Sequence, residues 1–68
     1  MKDIPAVIKD ARVRKGMTQA DLALAMGYET KTGDSVVRKW ENGVKPVPIV
    51  KIRLLASVLD LTVDDLIP

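Results

Sequence analysis

Basic side chains are concentrated in the middle of the 68-residue chain. Between Lys31 and Arg53 there are six lysines or arginines and two acidic residues, whereas the segment from Leu54 to Pro68 holds three aspartates and no base. Ammonium, guanidinium and amide groups are the donors that contact phosphates and base edges in nucleic acids. The distribution therefore favours a basic and an acidic side of the molecule. The alternative is an ordinary mixed surface, because the net charge is only +2.

The composition argues against catalysis and against a bound cofactor or metal. The chain has no cysteine and no histidine, so it cannot form a disulfide and lacks the usual soft metal ligands. No pair of carboxylates is expected in a plausible pocket, and we therefore expect no enzymatic activity. No apolar run approaches the roughly 20 residues of a membrane span, and residues 1–15 lack the apolar segment of a signal peptide. We expect a cytoplasmic protein with no membrane partner.

The length predicts one domain over residues 1–68, and the residue pattern predicts five short helices without strands. Asp3 and Pro5 suit the start of a first helix, which ends at Lys15–Gly16. The run Thr18–Asp21 is a capping-box start for a second helix, which ends at Gly27.

The remaining elements follow from the same signals. The polar segment from Tyr28 to Gly33 predicts a loop, so helix three should start at Gly33 or Asp34 and end at Asn42–Gly43. The Tyr28 ring is expected to fold back on helix two, near Leu24. Helix four is predicted from about Val47 to Leu59, and a final short helix begins at Thr62–Asp65 with Leu66 packing it down. The residues of helix four expected to face inward are Ile49, Ile52, Leu55, Ala56 and Leu59.

Helix three presents two different faces. Val37 and Trp40 are its apolar contacts, and the outward positions are Asp34, Ser35, Arg38 and Lys39. The major groove of a DNA duplex is wide enough to admit a helix, and polar side chains near its start can reach base edges. The alternative is that Arg38 and Lys39 are simply a solvated helix face.

Four segments, in this order, resemble the Cro/repressor type (lambda-repressor-like) helix-turn-helix family of phages and bacteria. The resemblance covers about Ile4 to Leu66 and implies a compact bundle of five short helices. It also implies a sequence-specific regulator of transcription that binds double-stranded DNA. The segments are Ile8-x-x-Ala11-Arg12, Lys15 to Ala23, Val37 to Gly43, and Leu55 to Leu66.

The resemblance also implies roles for single residues. Gln19 would bond a phosphate and brace the recognition helix, and the helix start at Thr18 and Gln19 favours an anion. Asn42 and Lys45 would approach the DNA backbone. Two further roles are structural: Arg12 would pair with Glu41 and tie helix one to the end of helix three, and Trp40 would lie in the core.

One segment departs from the family pattern. From Gly27 to Gly43 the chain is about four residues longer than usual, which leaves the start of helix three open. Lys31 in the expected loop would suit a phosphate. Asp34 would either accept a hydrogen bond from a cytosine amine or cap the helix, and we favour the cap.

Two functional hypotheses follow. The first is a repressor or operon controller that binds an inverted-repeat operator as a homodimer, with Val50 and Leu54 as a possible dimer face. The second is an antitoxin-type protein-interaction module on the same fold. This module would use Val50 and Leu54 together with the acidic end, which consists of Asp60, Asp64 and Asp65.

Overall fold

The computed structural model describes residues 3–67, in which every regular element is helical. The prediction of an all-α fold is confirmed, but the count of five α-helices was wrong. The last predicted helix is a four-residue 3₁₀ helix, a form that serves in short pieces like this one. The elements are α1 (Ile4–Arg14), α2 (Gln19–Ala25), α3 (Thr30–Glu41), α4 (Ile49–Leu59) and the 3₁₀ helix (Val63–Leu66).

Three helix starts are fixed by side-chain caps. The Asp3 carboxylate accepts a hydrogen bond from the Ala6 amide at 3.3 Å. Thr18 and Asp21 cap α2 reciprocally, because each side chain accepts from the other residue's backbone amide, at 3.0 and 2.9 Å. Thr62 and Asp65 form the same capping box at the 3₁₀ helix. These caps satisfy amides that lack a partner within their helix, so the predicted starts of these elements are confirmed.

The core is aliphatic and is closed on one side by two aromatic rings. Trp40 is buried, as expected, and the Tyr28 ring meets it edge to face with 5.9 Å between the ring centroids. The expected contact of Tyr28 with Leu24 stays a prediction; Leu24 itself remains half exposed. The buried residues are Ile8, Ala11, Leu22, Ala23, Met26, Val37, Trp40, Leu55, Ala56, Leu59 and Leu66.

The segment expected to be a loop is largely helix. α3 begins at Thr30, four residues before Asp34, and Gly33 lies within its first turns, where its amide donates to the Glu29 carbonyl at 2.8 Å. Gly33 is buried against α2: a β-carbon at this position would lie 2.6 Å from the Ala23 β-carbon. The missing side chain lets the two helices approach closely. That packing offsets the roughly 1 kcal/mol by which glycine weakens a helix relative to alanine.

The first residue of α4 also differs from the prediction. Ile49 was expected to face inward, but it is 86% exposed, because α4 begins here, two residues later than the predicted Val47. The buried face of α4 starts further along and consists of Leu55, Ala56 and Leu59.

We predict that Gly33→Ala destabilises the fold by about 1–3 kcal/mol, because the added methyl group must force α2 and α3 apart. Urea unfolding followed by circular dichroism would measure the change. Thr32→Ala, on the exposed side of the same helix, is the matched control and should leave stability nearly unchanged. Stabilisation by Gly33→Ala, the usual effect of alanine in a helix, would contradict the close contact.

Candidate nucleic-acid interface

α3 carries a polar stripe directly opposite its buried side. Gly33, Val37 and Trp40 are buried against the body of the protein. At 3.6 residues per turn, the positions opposite them recur at spacings of four, three and four residues. These positions are Lys31, Ser35, Arg38 and Asn42, of which three are exposed and Ser35 is partly buried. The helix therefore offers one continuous row of hydrogen-bonding groups along its outer side.

Asp34 lies beside this stripe and does not cap the helix. The residue that precedes α3 is Glu29, whose side chain makes no capping hydrogen bond, so the predicted role of Asp34 as a cap was wrong. The reason is the earlier start of α3, which places Asp34 one turn inside the helix. There its carboxylate accepts from Arg38 Nη2 at 3.4 Å, four residues further on.

The carboxyl end of α3 is held by a buried carboxylate. The Glu41 side chain is 3% exposed and receives Arg12 through two parallel bonds, from Nε at 2.6 Å and from Nη2 at 3.1 Å. A third bond from Arg12 Nη1 reaches the Met17 carbonyl at 2.8 Å. Because a planar guanidinium matches a carboxylate in this way, the pair fixes both the distance and the angle between α1 and α3.

Gln19 joins the same cluster from the first residue of α2. Its amide Nε2 donates to Glu41 Oε1 at 3.3 Å, so the start of α2 is tied to the end of α3. Thr18 precedes it on the surface, with its hydroxyl oxygen accepting from the Asp21 amide. The amide NH2 has a second N–H that the contact with Glu41 does not use, and this donor lies at a helix start where an anion is favoured.

The connector after α3 brings a second base next to Lys39. The amides of Val44 and Lys45 donate to the Lys39 carbonyl, at 3.0 and 3.3 Å, so the chain turns back tightly at this point. Lys39 and Lys45 then line a hollow of about 220 Å³ together with Trp40 and Tyr28. Two lysines from different elements thus share one small surface depression.

Lys51 is a positioning residue that the sequence analysis did not single out. Its ammonium nitrogen lies 4.8 Å from the centre of the Tyr28 ring and donates to the Met26 carbonyl at 3.2 Å. It therefore holds α4 against the end of α2 and the start of α3 by a cation–π contact and a helix-end hydrogen bond. The spacing of residues along the chain offers no signal for this contact, because it depends on how α4 crosses α2.

The outer side of α4 exposes aliphatic side chains. Val50 is 87% exposed and Leu54, one turn later, is 42% exposed. Ile49 stands beside Val50 and also borders an open apolar groove of about 550 Å³, together with Pro5, Ile52 and Ile67. This apolar surface is separate from the polar stripe of α3, which belongs to another helix.

Comparison with known proteins identifies the fold family. The profile of the helix-turn-helix family HTH_3 matches residues 8–66, which is most of the chain. The chain belongs to this family. The chain is therefore a DNA-binding helix-turn-helix domain.

Part of one curated protein is also similar to this chain. A type II methyltransferase, M1.ScrFI of Lactococcus lactis subsp. cremoris, is 49% identical over 41 residues, which is 60% of this chain but 10% of the relative. The chain thus spans about a tenth of that protein's length. No solved structure gives a significant match. None of the helices within residues 3–67 has the length and apolar character needed to cross a membrane.

We predict that Glu41→Gln costs about 3 kcal/mol of unfolding free energy, because it leaves the Arg12 guanidinium in a mostly buried site without a counter-charge. Chemical unfolding monitored by Trp40 fluorescence would measure it. Lys15→Gln breaks the exposed ion pair with Asp60 and is the matched control, expected to cost less than about 1 kcal/mol. Equal effects of the two substitutions would contradict the anchoring role of Glu41.

Proposed function

We propose that this protein is a sequence-specific transcription regulator that reads duplex DNA with α3. The observation that carries the proposal is the outer stripe of α3, in which Lys31, Ser35, Arg38 and Asn42 line up opposite the buried side. A helix of 12 residues is about 18 Å long, and its polar side chains can reach several base edges in a major groove.

Hydrogen-bond donors on both sides of α3 could contact the phosphates of the DNA backbone. Lys45 on the connector and the amide-bearing Gln19 at the start of α2 flank the carboxyl half of α3, and Thr18 precedes Gln19. Phosphate contacts position a protein on the duplex, whereas contacts to base edges specify sequence. We therefore assign phosphate binding to Thr18, Gln19, Asn42 and Lys45. We assign base reading to Ser35 and Arg38 at the centre of the stripe and to Lys39 beside it. Asn42 ends the stripe at the backbone, and Lys31 extends the contact along the groove at the other end.

Selection from a pool of random duplexes, followed by footprinting, would test this function directly. We expect a short conserved sequence and an affinity that falls steeply with salt, because basic side chains displace counterions from the duplex. Binding without any recovered sequence preference would contradict a regulator that recognises an operator.

Substitutions of Lys39 and Lys45, which line the same hollow, should distinguish base reading from binding to the DNA backbone. Lys39→Ala is expected to relax preference at one base pair per half-site, at a cost of about 1–3 kcal/mol if the contact is bidentate. Lys45→Ala should weaken binding to all duplexes alike and reduce the salt slope by about one. Titrations by fluorescence anisotropy at several salt concentrations would measure both. Unchanged affinity and unchanged preference after Lys39→Ala would contradict this assignment.

We further propose that the regulator acts as a homodimer on an inverted repeat, with the outer side of α4 as the contact surface. The exposed pair of Val50 and Leu54, extended by Ile49, supports this surface, since clustered exposed aliphatic groups mark interaction sites. A single module this small buries little surface on DNA. Two copies related by a two-fold axis would double the contact and read half-sites about one helical turn apart.

Charge placed on α4 should dissociate the dimer. Val50→Asp is expected to yield a monomer, and its operator affinity should fall because the second half-site is no longer bound cooperatively. Sedimentation of the free protein and of its DNA complex would report both states. Val13→Asp, at a residue of α1 that is 58% exposed, is the matched control and should leave the assembly unchanged. A monomeric wild type that binds a single, non-repeated site would contradict the proposal.

The regulated unit would be a phage, plasmid or restriction–modification operon in the bacterial cytoplasm, controlled by occupancy of the operator. The antitoxin alternative has weaker support in the structure. Its proposed acidic end is engaged within the chain, since Asp60 pairs with Lys15 at 2.7 Å and Asp65 caps the 3₁₀ helix. Methyltransferase activity is not proposed, because the matching relative shares only a tenth of its length with this chain.

A further inference from the structure

We propose that Asp34 and Arg38 act as one reading unit that selects a G·C base pair in the major groove. The inference rests on the proposed function and names two residues that would decide specificity at one position of each half-site. Its starting point is a carboxylate in an unexpected place: the DNA-facing half of α3 is otherwise basic or neutral, and an acidic group there repels phosphates.

The geometry leaves both partners able to bind a third group. The contact between Asp34 Oδ2 and Arg38 Nη2 is 3.4 Å long, so it is a loose pair. The two side chains are 42% and 56% exposed. A guanidinium has five N–H donors and a carboxylate has about four acceptor positions, so one long contact occupies a small part of either. The pair is therefore prearranged and still open toward the solvent side of α3.

The open donors and acceptors match one base pair better than the others. The major-groove edge of a G·C pair presents two acceptors, N7 and O6 of guanine, followed by one donor, the cytosine N4 amine. Arg38 supplies two parallel donors and Asp34 supplies an adjacent acceptor, which is the complementary order. An A·T pair presents acceptor, donor, acceptor and a methyl group, so the same unit would leave a buried polar group unpaired there.

Asp34 also changes what Arg38 can do elsewhere on the duplex. A lone arginine on a recognition helix binds any phosphate within reach, and this contact carries no sequence information. The neighbouring carboxylate reduces the local positive charge and disfavours contact with phosphate. Arg38 therefore gains most from a guanine edge. On this argument Asp34 lowers non-specific affinity and raises specificity in the same step.

The test uses the duplex that the wild-type protein selects, together with variants that replace each base pair of one half-site in turn. We expect a G·C pair that the wild type prefers over the other three by about tenfold or more. Asp34→Asn should remove most of that preference and raise affinity for an unrelated duplex. Arg38→Ala should also remove it, and the double variant should lose no more than either alone.

Asp10→Asn is the matched control, because it removes one exposed carboxylate from α1 and should leave every base preference unchanged. Circular dichroism would confirm that each variant is folded. A selected operator without an invariant G·C pair, or an Asp34→Asn variant that keeps full discrimination, would overturn this inference alone. A wild type that binds no duplex would overturn the proposed function itself.

Discussion

The buried carboxylate of Glu41 is the point on which the presentation of α3 depends. It receives Arg12 from α1 and Gln19 from α2, so three helices meet at one charged group. A carboxylate that is almost fully removed from water requires paired and hydrogen-bonded partners, and the arrangement satisfies that requirement with several bonds whose directions are fixed. The cluster lies at the carboxyl end of α3. The helix is therefore already held in one orientation, and a ligand bound by the outer stripe would not have to pay for reorienting it.

The amino half of α3 is held by a different kind of contact. No charge pair bridges α2 and this half within residues 3–67. The absence of a side chain at Gly33 instead lets the backbones approach until the Ala23 methyl group fills the space. Tyr28 and Lys51 then close the gap between α2, α3 and α4. One end of the helix is thus set by electrostatics and the other by shape, and a change at either end would alter the angle at which α3 presents its outer stripe.

Much of this arrangement could be predicted from the sequence. The predictions that failed concern features that are set by packing between different helices. Capping signals such as Thr18 with Asp21, and Thr62 with Asp65, depend on residues close in sequence, so the starts of their elements were predicted well. The start of α3 was missed because polar residues with a central glycine usually form loops, and the close packing of Gly33 on Ala23 that favours helix here is a contact between two helices. Ile49 was predicted to be buried but is exposed, because the spacing of apolar residues along α4 does not show how far the neighbouring helices extend. The contacts of Lys51 with Tyr28 and Met26 join residues more than 20 positions apart, so no local sequence pattern indicates them.

The early start of α3 keeps its polar stripe in line. Four residues correspond to slightly more than one helical turn, so an extension of that size places Lys31 almost directly above Ser35 and preserves the alignment with Arg38. An insertion of two residues would instead rotate the new positions toward the opposite face of the helix. A longer turn between α2 and α3 would have added freedom without adding to the stripe. The extra turn therefore lengthens the polar stripe, and the cost of placing glycine in a helix is offset by the packing that the same glycine permits.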